Sequence, residues 1–167
     1  MVEIINCYGC GALVKDIEGK PHKYLGAPQG CWNIYGEVLA KEYGEYNYPK
    51  TTHRLTVDTY SVQHPGQPER RTIQSLNIHL IGLYSVLVKN LSGLEATDKI
   101  SNILANSPVF EWLEPPVPNG RKTVLNVLTA ANKDEHERLV REWAHDVFAC
   151  WYSKHKQTID EFAKIYF

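Results

Sequence analysis

Four residues near the start of the chain have the types and spacing to hold a metal ion. Cys7-Tyr8-Gly9-Cys10-Gly11 is a C-x2-C-G turn, and its glycines let two thiolates point at one ion from a tight loop. His22 and Cys31 follow in the same glycine-rich stretch and complete C-x2-C-x11-H-x8-C. A Cys3His set of this kind closes a tetrahedral zinc site and leaves no position for water, which marks a structural rather than a catalytic zinc. Other chemistries compete for the same residues. A redox C-x-x-C normally sits in a βαβ context that the pattern here lacks. A disulfide is disfavoured in a reducing compartment. The thiols could also be reduced and partly buried with His22 at the surface, or form an open three-thiolate site with His22 as a bystander. Cys150, beside Trp151 on an apolar helical face, reads as a core residue.

A second cluster lies in the middle of the chain. His53-Arg54-Leu55-Thr56-Val57-Asp58-Thr59-Tyr60-Ser61-Val62-Gln63-His64-Pro65-Gly66 is dense in groups suited to acid–base or metal chemistry, and His79 follows. On one straight helix, His53 and His64 stand about 16 Å apart along the axis, so they cannot share an ion. If this helix and the next form an antiparallel hairpin, His79 falls opposite Thr56 to Asp58. An Asp58–His79 dyad could then orient an imidazole for general-base work, or support a metal ligand. The competing structural reading is that Asp58 satisfies His79 in a packed hairpin while Gln63 and His64 cap the helix end. Gly82 costs about 1 kcal/mol in a helix relative to Ala, which points to close packing or to room for a side chain such as His53. His136, His145 and His155 on the last helix carry weaker signals.

The elements that must position these groups are mostly helical. Residues 1–30 form a loop-rich head punctuated by Gly and Pro, suited to tight turns and a small hairpin but too poor in apolar pattern for a stable helix. A metal can fix such a head, because its binding free energy becomes folding free energy. Ile34, Tyr35, Val38 and Leu39 recur at helical spacing up to about Tyr43. A second helix is expected from an N-cap at Thr51 or Thr52 to His64, where Pro65-Gly66 stops it. The stripe Ile73, Leu76, Leu80, Leu83, Tyr84 and Leu87 predicts a third, ending near Asn90. A shorter helix covers Thr97–Leu104. Pro108, Pro115, Pro116 and Pro118 mark an extended connector whose Phe110 and Trp112 should lie over the core. The last helix spans about Asp134–Ile165, with a kink near Ser153. The expected fold is therefore mainly α, a helical bundle with a small irregular head, arranged as a single domain over 1–167 with a body at 31–167.

Composition narrows the partners. The chain has 167 residues, 43% hydrophobic and 22% charged, with a net charge of -1. That is globular, and near-neutrality removes the electrostatic attraction that dominates nucleic-acid binding. Nucleic acid and membrane are thus disfavoured as partners. No stretch reaches 18 uncharged apolar residues, and the start lacks the pattern of a signal peptide, so a cytoplasmic location is expected.

The chain resembles a family of small bacterial proteins that share a domain of unknown function. The resemblance rests on Cys7-x-x-Cys10-Gly11, the segment from Gly26-Ala27 to Cys31-Trp32, the central block His53 to Gly66, and Gln74-Ser75 leading to His79-Leu80. It runs through most of the chain. A serine and proline usually precede the cysteine in that family, where this chain has Ala27-Pro28-Gln29-Gly30-Cys31. The resemblance implies no activity.

Two functional readings follow. The first is a zinc-stabilised helical module that binds a protein or small molecule, with Cys7, Cys10, His22 and Cys31 as structural ligands and association into a homodimer compatible with the aromatic-rich helices. The second is a metal- or His/Asp-dependent enzyme, hydrolase-like, using His53, Asp58, His64 and His79 in a cleft between the head and the second and third helices.

Overall fold

The computed structural model describes residues 1–167 and contains a two-stranded sheet and six helices. Strands β1 (Ile4–Asn6) and β2 (Leu13–Lys15) pair antiparallel with Ile5 opposite Val14, so the head does contain a hairpin. Helices α1 (Gln29–Tyr43), α2 (Lys50–Gln63), α3 (Arg70–Leu87), α4 (Gly93–Ala105), α5 (Val124–Leu128) and α6 (Lys133–Tyr166) make the rest. No helix is long and apolar enough to cross a membrane.

Helix α2 is the axle of the bundle, packed by α1, α3, α4 and α6. Its residues from Leu55 to Gln63 are buried except Val57, although Thr56, Asp58, Thr59, Ser61 and Gln63 are polar. A helix surrounded on all sides is normally apolar all round. Thr56, Asp58 and Gln63 find partners inside the protein, whereas the Thr59 hydroxyl has none, and a buried polar group without a partner costs about 1–3 kcal/mol.

The apolar core is continuous from the head into the bundle. Cys7, Ala12, Val14, Ala27 and Cys31 join Leu55, Leu80, Leu83, Val140, Trp143 and Trp151 in one cluster. Phe110 and Trp112 of the proline-rich connector pack against it, as the sequence predicts, with Phe110 edge-on to Phe162. The connector is tied to the end of α2 through Gln63, whose amide donates to the Asn119 and Lys122 carbonyls and accepts from the Trp143 indole.

Several helix boundaries differ from expectation. Helix α2 starts after Pro49, and Thr51 instead accepts a hydrogen bond from the Gly93 N–H across to α4. Helix α4 begins four residues early because Ser92 and Glu95 form a capping box. The kink in α6 falls at His155, where φ is -121° and ψ 34°. Its Nε2 lies 2.7 Å from the Glu114 carbonyl oxygen, so His155 ties α6 to the connector. Cys150 is only partly buried and faces a shallow cleft beside Pro116 and Pro118 instead of the core.

Candidate metal centre

Cys7, Cys10, Cys31 and His64 converge, with one ligand atom from each lying within 4.8 Å of the others. Three separate elements deliver them. The C-x-x-C turn follows β1, and the Cys7 N–H is tied to the Ala12 carbonyl across the turn. Cys31 lies in the first turn of α1, fully buried beside the head. His64 ends α2, and there the backbone locks to the head: Leu25 bridges Pro65, and the Gly26 N–H donates to the His64 carbonyl. Gly9 makes the close approach feasible, because a Cβ there would stand 2.5 Å from His64 Cδ2.

The spacings fit a cation. Cys10 Sγ and Cys31 Sγ are 3.9 Å apart, and Cys31 Sγ is 3.4 Å from His64 Nε2. A tetrahedral ion with sulfur bonds of about 2.3 Å and nitrogen bonds of about 2.0 Å has edges of roughly 3.8 Å and 3.5 Å. The imidazole is also aimed. His64 Nδ1 lies 2.8 Å from the Tyr60 carbonyl oxygen, which can only accept, so Nδ1 carries the proton and the Nε2 lone pair faces the sulfurs. Tyr60 supports Cys31 as well, its hydroxyl donating to Sγ at 3.5 Å while its ring stacks on Tyr35 and on His64.

The thiols divide in their acidity. Hydrogen bonds from Cys10 and Cys31 hold the Cys7 thiol below its ordinary range. Bonding with Cys31 and Cys7 pushes Cys10 above it. Burial, then the neighbouring Cys31, raises Tyr60, which keeps its hydroxyl a donor. Three clustered thiolates repel one another, and a divalent cation is what lets all of them ionise together.

The histidine that meets the three thiols is therefore not the one the spacing in the head suggests. His22 is exposed, with Nδ1 accepting from the Tyr24 N–H at 3.3 Å and its ring against Tyr24 and Trp32. His64 takes that place, giving C-x2-C-x20-C-x32-H. The physical reason is tertiary: the Leu25–Pro65 bridge folds the end of α2 under the turn and leaves the 20–24 loop outside. The sequence signal was the Gln63-His64-Pro65-Gly66 helix stop, which fixes a histidine at a chain reversal.

The other members of the central cluster do not meet in one place. His79 Nδ1 is 2.7 Å from Asp58 Oδ1, the contact expected from the hairpin register, and Arg54 Nε donates to Asp58 Oδ2 at 2.8 Å. Gly82 allows this, since a Cβ there would collide with the Asp58 carboxylate. The side chain it makes room for is thus Asp58 with Arg54, not His53. His53 turns instead to Glu42, with Nδ1 2.7 Å from Oε2. Glu42 is wholly buried and also receives His136 Nε2 at 2.8 Å and the Thr56 hydroxyl at 2.5 Å. Burial opposes its ionisation, but the bonds from His136, His53 and Thr56 outweigh that and hold its carboxyl below the ordinary range. Sequence reasoning missed Glu42 and His136. The available clue was helical spacing, which puts Glu42 on the stripe of Cys31, Tyr35 and Val38.

A cleft of about 380 Å³ borders the metal group, with Cys7 and Cys10 on one side and Pro116, Pro118 and Asn119 of the connector on the other. No curated protein and no solved structure matches the chain. A family model does match residues 5–152, taking in the metal group, the central block and the connector. The chain belongs to that family, DUF5946, a family of unknown function.

Proposed function

We propose that the protein is a zinc-stabilised binding module in which Cys7, Cys10, Cys31 and His64 hold one structural zinc. The observation that carries the reading is the aimed imidazole: a fully buried His64, its Nδ1–H spent on the Tyr60 carbonyl, turns Nε2 toward three thiols at ion-sized spacing. Sulfur-rich donor sets select zinc over the hard cations, and four protein ligands leave no place for a reacting water. The ion clips the hairpin to α1 and α2 and so holds one wall of the cleft facing the proline-rich connector. Binding in that cleft is the activity this architecture favours. The hydrolase reading loses support because its four residues are divided among the metal group, Glu42 and the Asp58–Arg54–His79 set.

Elemental analysis of untagged protein tests the metal. One zinc per chain is expected in the wild type and in His22→Ala, with loss of zinc in Cys31→Ser and His64→Ala. Metal-free wild type, or zinc that disappears with His22→Ala and survives His64→Ala, overturns the assignment.

A further inference from the structure

At the opposite end of α2 a second cleft, of about 320 Å³, opens between the starts of α2 and α4. Lys50, His53 and Arg54 line it together with Tyr48, Val57 and Leu94. No carboxylate reaches the lining. Two of the three nitrogen-bearing side chains are braced from behind by acids that are themselves fully buried: His53 by Glu42, and Arg54 by Asp58. His53 presents its remaining nitrogen on the Tyr43 side, 3.3 Å from that hydroxyl, and the Arg54 terminal nitrogens make no hydrogen bond. Lys50 is exposed and has no ion-pair partner, so its ammonium is available at the rim.

Burying two carboxylates costs several kcal/mol each before pairing. In both cases the pairing fixes a side chain that lines the same cleft, and groups locked from behind in this way are what a preorganised binding site needs. The unpaired Lys50 ammonium and the free terminal nitrogens of Arg54 supply donors, and Val57, Leu94 and Tyr48 supply apolar surface, which together define the ligand chemistry. We infer that this cleft binds a small organic oxyanion, a phosphate or carboxylate carried on a short apolar or aromatic body. The site is separate from the metal group and does not rest on the zinc reading.

Phenyl phosphate and benzoate are the probes, titrated calorimetrically into the zinc-replete full chain, with benzyl alcohol as the uncharged counterpart. Saturable binding of one or both anions is expected, with movement of the His53 imidazole resonances and weakening as salt is raised. Preference for phenyl phosphate identifies a phosphate ester as the ligand class, and preference for benzoate identifies a carboxylate. Lys50→Glu should weaken binding about tenfold, as loss of one charge-assisted contact does, and Leu94→Asp, at another exposed wall position, should abolish it. Lys20→Glu, remote in the head, should leave it unchanged. Zinc content and melting temperature should be those of the wild type in all three variants, which separates this site from the metal. Absence of saturable binding by either anion, equal binding of benzyl alcohol, or indifference to both Lys50→Glu and Leu94→Asp overturns the inference.

Discussion

The two ends of α2 solve the problem of a buried histidine in opposite ways. At the C-terminal end His64 gives its Nδ1 proton to a backbone carbonyl and turns its other nitrogen to three thiols. The carbonyl orients the ring without adding charge, so in the proposed zinc site the balance for ionised thiols comes from the cation. At the N-terminal end His53 through Nδ1 and His136 through Nε2 bond to Glu42, while His79 and Arg54 share Asp58. That network is balanced by the chain itself. On the zinc reading proposed above, one end is conditional on a metal and the other is not, although a single helix carries both.

The sharpest way to test this contrast is to strip the metal. Chelation should release the hairpin, so that the amides of Cys7, Ile5 and Val14 exchange with solvent at least tenfold faster, while those of α2 and α3 around Asp58 keep most of their protection. Equal loss at both ends, followed by hydrogen exchange, would show that the two regions form one cooperative unit.

Glu42→Ala should have the next largest effect. It leaves two histidines and a threonine without their acceptor and is expected to cost about 3–5 kcal/mol, read from denaturant unfolding, with zinc content unchanged. The pH dependence follows from the same residue. Because folding lowers the Glu42 pKa from 4.5, its ionised form contributes stability above the ordinary carboxyl range, and that contribution is lost as pH falls through the lowered value. Glu42→Gln should therefore flatten the acid limb of the stability curve, below the ordinary carboxyl range, relative to the wild type.

A smaller effect is expected from Gly82→Ala. Helix propensity alone would stabilise by about 1 kcal/mol. The new methyl meets an Asp58 carboxylate pinned by Arg54 and His79, and overpacking of this kind costs about 1–3 kcal/mol. A net loss near 1 kcal/mol in thermal unfolding is the expected balance. A gain would mean that the Asp58 network yields easily and is less rigid than its bonds suggest.

Much of the helical framework was legible because it rests on local rules. Ile34 to Leu39 and Ile73 to Leu87 recur at the helical period, and Pro65-Gly66 stops α2 where its chemistry requires. The Asp58–His79 contact was also within reach, since a tight hairpin between two helices fixes which positions face each other. Helix α5 was not, because five residues carry too little periodicity to register. His136 was passed over because its partner, Glu42, lies 94 residues away.

The sequence by itself singled out the three cysteines as one candidate set, since a C-x2-C-G turn and a nearby cysteine share a glycine-rich segment with little apolar pattern. It also determined that the body is helical. Only the tertiary structure decided which histidine joins the three thiols and how the central histidines divide. Two histidines, His22 and His64, were chemically equal candidates, and spacing along the chain favoured the nearer. What chose between them was the antiparallel bridge of Leu25 to Pro65, a contact between strand-like backbone in the head and the end of a helix. A pairing of that kind depends on how two distant segments pack, which no local period encodes.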